Sequence, residues 1–125
     1  MPNFKIKSVP LNANNLTAGV KSYIKLNGGW AVRINTMGVY DAERGIFRPV
    51  PEEDKGVSDV IGTYRGYSLF VEIKIGTDKQ SEEQENFQRN METAGGWYFI
   101  ARNMNDFITN FNNKKYEIDS IRGFL

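Results

Sequence analysis

The chain has 125 residues, 40% hydrophobic and 25% charged, with a net charge of +1, which is an ordinary globular composition and long enough to bury one core. It contains no cysteine and no histidine; disulfides, thiolate or imidazole metal sites, imidazole general bases and Ser-His triads are excluded, so any metal must be held by oxygen. No apolar run approaches membrane-spanning length and the N-terminus lacks a signal peptide's apolar region, so the expected location is the cytoplasm, of a bacterium or of a phage's host.

Charge is unevenly spread. The first fifty residues carry seven basic and two acidic side chains, the remainder nine and thirteen. A basic half beside an acidic site fits a nucleic-acid enzyme, and plain solvated surface charge explains it as well.

In chain order, Phe4 to Val9 alternates as an edge strand would, and Pro10 ends it. Asn14 or Asn15 caps a helix running to about Leu26, whose inner face is Leu16, Val20, Tyr23, Ile24 and Asn27, with Gly28-Gly29 as the stop. This helix also carries Lys21 and Lys25. Trp30, Val32 and Ile34 then alternate with Ala31, Arg33 and Asn35 as a half-buried strand. Arg33 and Asn35 fall on the other face, where phosphate contact and simple solvation are both open readings. Residues 36–56 read as a long loop with a small hairpin around Asp41 to Gly45, and Glu52-Glu53-Asp54 as a solvated acidic run.

The centre of the chain is a hairpin. Ser58 to Tyr64 and Tyr67 to Ile75 are rich in β-branched and aromatic residues, and Arg65-Gly66 lies between them. A two-residue turn pairs Tyr64 with Tyr67 and, continued down the ladder, Asp59 with Glu72. Alternation places Lys74 on the same face. Two carboxylates opposite each other in an apolar hairpin repel, and burial makes both costly. A divalent cation removes the conflict, since magnesium takes carboxylate oxygens and keeps several waters. A lysine beside it completes the equipment for metal-assisted phosphodiester hydrolysis.

Ser81 to Gln84 matches a capping box opening a helix that ends at Gly95-Gly96, with Phe87, Met91 and Ala94 facing inward. Trp97 to Ala101 reads as a central strand. A helix capped by Asn105 or Asp106 follows, with Phe107, Ile108 and Phe111, broken at Asn112 to Lys115. The tail would dock through Tyr116, Ile118, Ile121, Phe124 and Leu125. The order predicts an α/β fold, one mixed sheet flanked by helices.

The ordered set Asp59…Glu72-Ile73-Lys74…Gln84 resembles the PD-(D/E)xK nuclease superfamily, and within it the VRR-NUC (virus-type replication-repair nuclease) domain, a relative of Holliday-junction resolvases. Gly56 to Val60 is similar to its G-x-[SP]-D-[ILV] segment, Phe70 to Lys74 to its E-[VI]-K strand, Ser81 to Phe87 to its S-x-x-Q-x-x-[FW] helix, and Arg33-Ile34-Asn35 to its R-x-N strand. The likeness spans roughly residues 14–111 of a single domain.

The resemblance implies a restriction-endonuclease-like αβββαβ core and a Mg2+- or Mn2+-dependent DNA endonuclease of repair or recombination, acting on branched or junction DNA. Asp59, Glu72 and the Ile73 carbonyl would hold the metal. Lys74 would orient the attacking water or stabilise charge on the phosphate, and Gln84 would support the site. Arg33, Asn35, Lys21, Lys25, Lys79 and Ser81 are the expected nucleic-acid contacts. Symmetric cutting of two strands by so small a chain implies a homodimer. One departure stands out: the family's helix-one glutamate has no counterpart between Asn14 and Val20, where Asn14, Asn15 or Thr17 are the oxygen-bearing substitutes. This leaves one metal or two open, and an inactive nucleic-acid-binding module of the same fold is the alternative.

Overall fold

The structure, a computed structural model, describes residues 10–34, 38–51 and 54–123. The expected strand at Phe4 to Val9, together with Asn35, Glu52, Glu53, Phe124 and Leu125, lies outside the described residues. The fold is mixed α/β. Its elements follow as α1 (Ala13–Leu26), β1 (Trp30–Arg33), β2 (Val39–Asp41), β3 (Ile46–Arg48), β4 (Val60–Tyr64), β5 (Tyr67–Ile73), α2 (Glu82–Thr93), β6 (Trp97–Ala101) and α3 (Met104–Arg122). A four-stranded mixed sheet has the order β1-β4-β5-β6, antiparallel except for the parallel pair β5–β6, and β2–β3 forms a separate small hairpin.

The β4–β5 register agrees with the expectation from the turn: Tyr64 pairs with Tyr67 and Val60 with Val71. Arg65 and Gly66 both have positive φ, at 48° and 85°, as a two-residue turn matching strand twist requires. Arg65 is held there by donating Nε to Tyr64 Oη at 2.9 Å, while Arg122 donates to its carbonyl.

One face of the sheet packs on α1 and α3. Leu16, Val20 and Ile24, spaced by one turn, bury against Val60, Leu69 and Val71, and Phe107 and Phe111 of α3 meet Tyr64, Trp97 and Phe99. The opposite face receives α2, whose Phe87 ring lies against Phe70 and Tyr98.

Several expectations are corrected. The cap of α1 is Asn12, which accepts from the Asn15 amide; its extended backbone, not residue type, selects it from three nearby asparagines. On β1 the buried residue is Ala31, whereas Trp30 is 60% and Val32 44% exposed, because α1 covers the Ala31–Gly62 side. On α2, Ala94 is exposed because the helix has already ended beside it. Strand β6 is an edge strand, not central; its apolar run reflects helices on both faces rather than strands on both sides. Asn103 caps α3, and the helix runs unbroken through Asn112 to Lys115. Tertiary contacts override weak propensity there: Tyr23 donates to Asn112, Lys115 donates to Asn27, and Lys114 lies over the Trp97 ring. Tyr116 and Ile121 are consequently exposed, and among the apolar residues of the described tail Ile118 packs on the core.

Candidate active site

Neighbours across an antiparallel ladder share a face of the sheet. On the face under α2, two cross-strand rows follow one another. Trp30, Thr63 and Ser68 form the first, and Val32, Ile61, Phe70 and Tyr98 the second. Beyond the last β4–β5 pair, Val60 with Val71, the Ile34 amide donates to the carbonyl of Asp59, one residue before β4, at 2.7 Å, and Glu72 pairs with Ile100, with the Asp59 charge acting on Glu72. The two carboxylates are thus brought together at the end of the β4–β5 pair.

Each member is positioned by a different element. Asp59 Oδ2 accepts from the Ile73 amide at 2.7 Å, which ties the residue before β4 to the end of β5. Glu72 is 3% exposed, its Oε1 accepts from Gln84 Nε2 at 2.9 Å, and its Oε2 is buried without a hydrogen-bond partner. Lys74, one residue past β5, places Nζ 3.8 Å from Glu72 Oε1 with its side chain 12% exposed. Gln84 reaches Glu72 because it stands at the third position of α2: its Oε1 accepts from the Ser81 amide, and its own amide donates to Ser81 Oγ. Capping and site support, the two readings of Gln84, are served by opposite ends of one side chain. Gly56, at φ +86°, lets the loop before β4 pass so close to α2 that an added Cβ would lie 2.3 Å from the Glu83 carbonyl.

Burial first, then the charge of Asp59, push the Glu72 carboxyl up to about 8, against the opposing pull of Lys74. Lys74, 3.8 Å from Glu72 Oε1, stands too far off for a hydrogen bond, and burial beside the Asp59 charge prevails. Glu72 therefore carries a proton at neutral pH when no cation is bound. A buried orphan oxygen beside a second carboxylate, with hard oxygen donors only, fits a divalent cation. Among the described residues no group of three or more acids is placed to hold a metal ion.

The substitutes for a helix-one acid are engaged elsewhere. Asn14 Oδ1 accepts from Arg33, Asn15 Nδ2 donates to the Pro10 carbonyl, and the Thr17 hydroxyl donates to the Ala13 carbonyl. Arg33, opposite Val60, lies on the α1 face rather than on the carboxylate face. Lys25 is exposed on α1 and sits 4.4 Å from the Trp30 ring centre; Lys21 is half-buried on the same helix. Lys79 is exposed in the loop before α2, and Ser81 is spent on capping.

Gln80 and Tyr98 also border the site, and the sequence reading passed over both. Gln80 Nε2 donates to Gln88 and to the Tyr98 hydroxyl. Burial, then the Glu72 charge, raise the Tyr98 phenol above its ordinary range. The one signal for Tyr98 is the parallel β5–β6 register, which no local pattern reveals. No helix among the described residues is long and apolar enough to cross a membrane. The sequence matches no family model and no curated protein.

Proposed function

We propose that the protein is a metal-dependent DNA endonuclease of the PD-(D/E)xK type, similar to VRR-NUC domains and built on a restriction-endonuclease-like core, which hydrolyses phosphodiester bonds in branched or junction DNA. The observation that carries this is the closeness of Asp59 and Glu72 at the end of the β4–β5 pair, with Lys74 and Gln84 on the Glu72 carboxylate. The main-sheet order of helix, three strands, helix, strand supports it. Asp59, Glu72 and the Ile73 carbonyl would hold Mg2+ or Mn2+. When bound, such an ion supplies Lewis acidity for water attack on phosphorus and for the departing oxygen. The chain's own residues do the rest. Lys74 brings positive charge to the non-bridging phosphate oxygens, where negative charge builds up. Gln84 fixes the Glu72 rotamer, and the Ile73 amide fixes Asp59. A homodimer would supply the second site for cutting both strands.

A second reading, a nucleic-acid-binding module without catalysis, is favoured by one observation: α1 carries no acidic residue, and Asn14 Oδ1 already accepts from Arg33. The deciding experiment is cleavage of labelled linear, single-stranded, flap and four-way-junction DNA with magnesium, manganese or EDTA, beside Lys74→Ala and Asp59→Ala. Metal-dependent cutting that both variants lose is expected. Binding without cutting selects the second reading, and cutting that survives in both variants removes these residues from the chemistry.

A further inference from the structure

On the face that carries Asp59 and Glu72, α2 packs over β5 and β6 through Phe87, while the Trp30 end of β1 stays exposed and Ile34 beyond it borders the β2–β3 hairpin. Trp30 and Val32 are 60% and 44% exposed there, and Thr63 beside Trp30 is exposed too. The exposed patch at Trp30 and Val32 lies on the strand that leads to Ile34 beside Asp59, about 13 Å away along the strand. A tryptophan left this bare on a sheet face loses a large hydrophobic gain and calls for an occupant.

Charge identifies that occupant. Residues 10–34, which form α1 and β1, contain Lys21, Lys25 and Arg33 and no acidic residue, and Asp59 is the only acid between Val57 and Tyr64. Lys25 lies over one face of the Trp30 ring at 4.4 Å from its centre, and the ring is still 60% exposed, so a cation and open aromatic surface stand side by side. This pairing suits a base and its phosphate: unpaired bases stack on aromatic rings while cations follow the backbone. Duplex DNA keeps its bases stacked on each other and offers no such face.

We infer that the β1–β4 face is a platform for single-stranded nucleic acid, with Trp30 stacking on an unpaired base a few nucleotides from the bond held at Asp59 and Glu72. The inference rests on the nuclease reading of those carboxylates and names its substrate class: DNA with a single-stranded arm next to the cut.

Trp30 is one of two tryptophans, and Trp97 is 4% exposed, so fluorescence reports the platform directly. Titration of the full chain with oligothymidine in EDTA is expected to quench Trp30, and blunt duplex of equal length is not. Trp30→Ala should weaken oligothymidine binding about tenfold and leave duplex binding unchanged. Trp30→Phe, which keeps a ring, should restore binding without the quench. Lys25→Gln should lower the salt dependence of binding by about one phosphate contact. Unchanged oligothymidine affinity in Trp30→Ala, with that variant folded by circular dichroism, overturns the platform. So does a change in sedimentation of Trp30→Ala with no effect on binding, which assigns the face to a second copy of the chain. The two readings separate cleanly. Stacking on Trp30 in a protein that cuts nothing removes the nuclease and keeps the platform. Cleavage that Trp30→Ala performs equally on flap and duplex keeps the nuclease and removes the platform.

Discussion

Gln84 donates its side-chain amide to Glu72 at 2.9 Å while the carbonyl end of the same side chain accepts from the Ser81 amide. Helix α2 thus starts and the carboxylate is positioned by one residue. Ser81→Ala removes only the capping hydroxyl and should cost about 1 kcal/mol of stability with cleavage retained. Gln84→Ala removes cap and support together. Its stability loss should be similar, and its cleavage should fall by tenfold or more. Thermal melts and cleavage rates measured side by side decide the matter: equal retention of activity in both variants makes Gln84 a cap and nothing else.

The proton on Glu72 gives a signed pH dependence. The folded carboxyl titrates at about 8 against an ordinary value of 4.5, so between these values the folded chain holds a proton that the unfolded chain has released. Stability in EDTA should therefore fall as pH rises from 4.5 and level off above about 8. Glu72→Gln should remove this component, and the difference between the two melting curves across pH 4.5–9 isolates it. A cation competes with the same proton, so magnesium affinity should rise over this range. A wild-type curve parallel to that of Glu72→Gln would show the carboxyl ionised throughout.

The hairpin and its register from Tyr64–Tyr67 to Val60–Val71 were legible because a two-residue turn sets register and side chains alternate with period two. The capping box at Ser81 was legible for a similar local reason. What escaped the sequence depends on distant partners. The inward side of β1 was misread because Trp30 and Val32 are the larger side chains, yet α1 rests on Ala31. The continuity of α3 escaped because Asn112 and Lys115 look like a break until Tyr23 and Asn27 of α1 bind them. Tyr98 became part of the site surroundings only through a parallel pairing, which has no signature in adjacent residues.

At the other end of the β4–β5 pair, the Tyr64 hydroxyl donates to the buried Asp119 carboxylate at 3.4 Å and accepts from Arg65 Nε at 2.9 Å. Arg65 also lies 3.5 Å from the other Asp119 oxygen, which has no hydrogen-bond partner. This cluster fastens the hairpin turn to α3, far along the strands from Glu72. Tyr64→Phe leaves the ring packing intact but strips a partner from a buried charge, which should cost about 1–3 kcal/mol. Urea denaturation measures the loss. Cleavage by the folded variant should match the wild type, and a selective drop in activity at unchanged stability would place the cluster in the reaction.

Gly56 connects backbone geometry to the site. Its φ of +86° is one that side chains rarely adopt, and a Cβ would meet the Glu83 carbonyl at 2.3 Å and the Gln84 amide nitrogen at 2.9 Å. Those atoms belong to the first turn of α2, which holds Gln84 against Glu72. Gly56→Ala must therefore displace either the loop leading to Asp59 or the start of the helix. The strained conformation alone costs about 1–3 kcal/mol, and the displacement should lower cleavage beyond what the lost stability explains. Gly66→Ala is the matched control: its φ of +85° is equally unfavourable, but an added Cβ there meets nothing within 4 Å. Similar destabilisation in both variants, with cleavage lost in Gly56→Ala alone, is the expected result. Equal cleavage in the two would mean that the approach of this loop to α2 does not position Gln84.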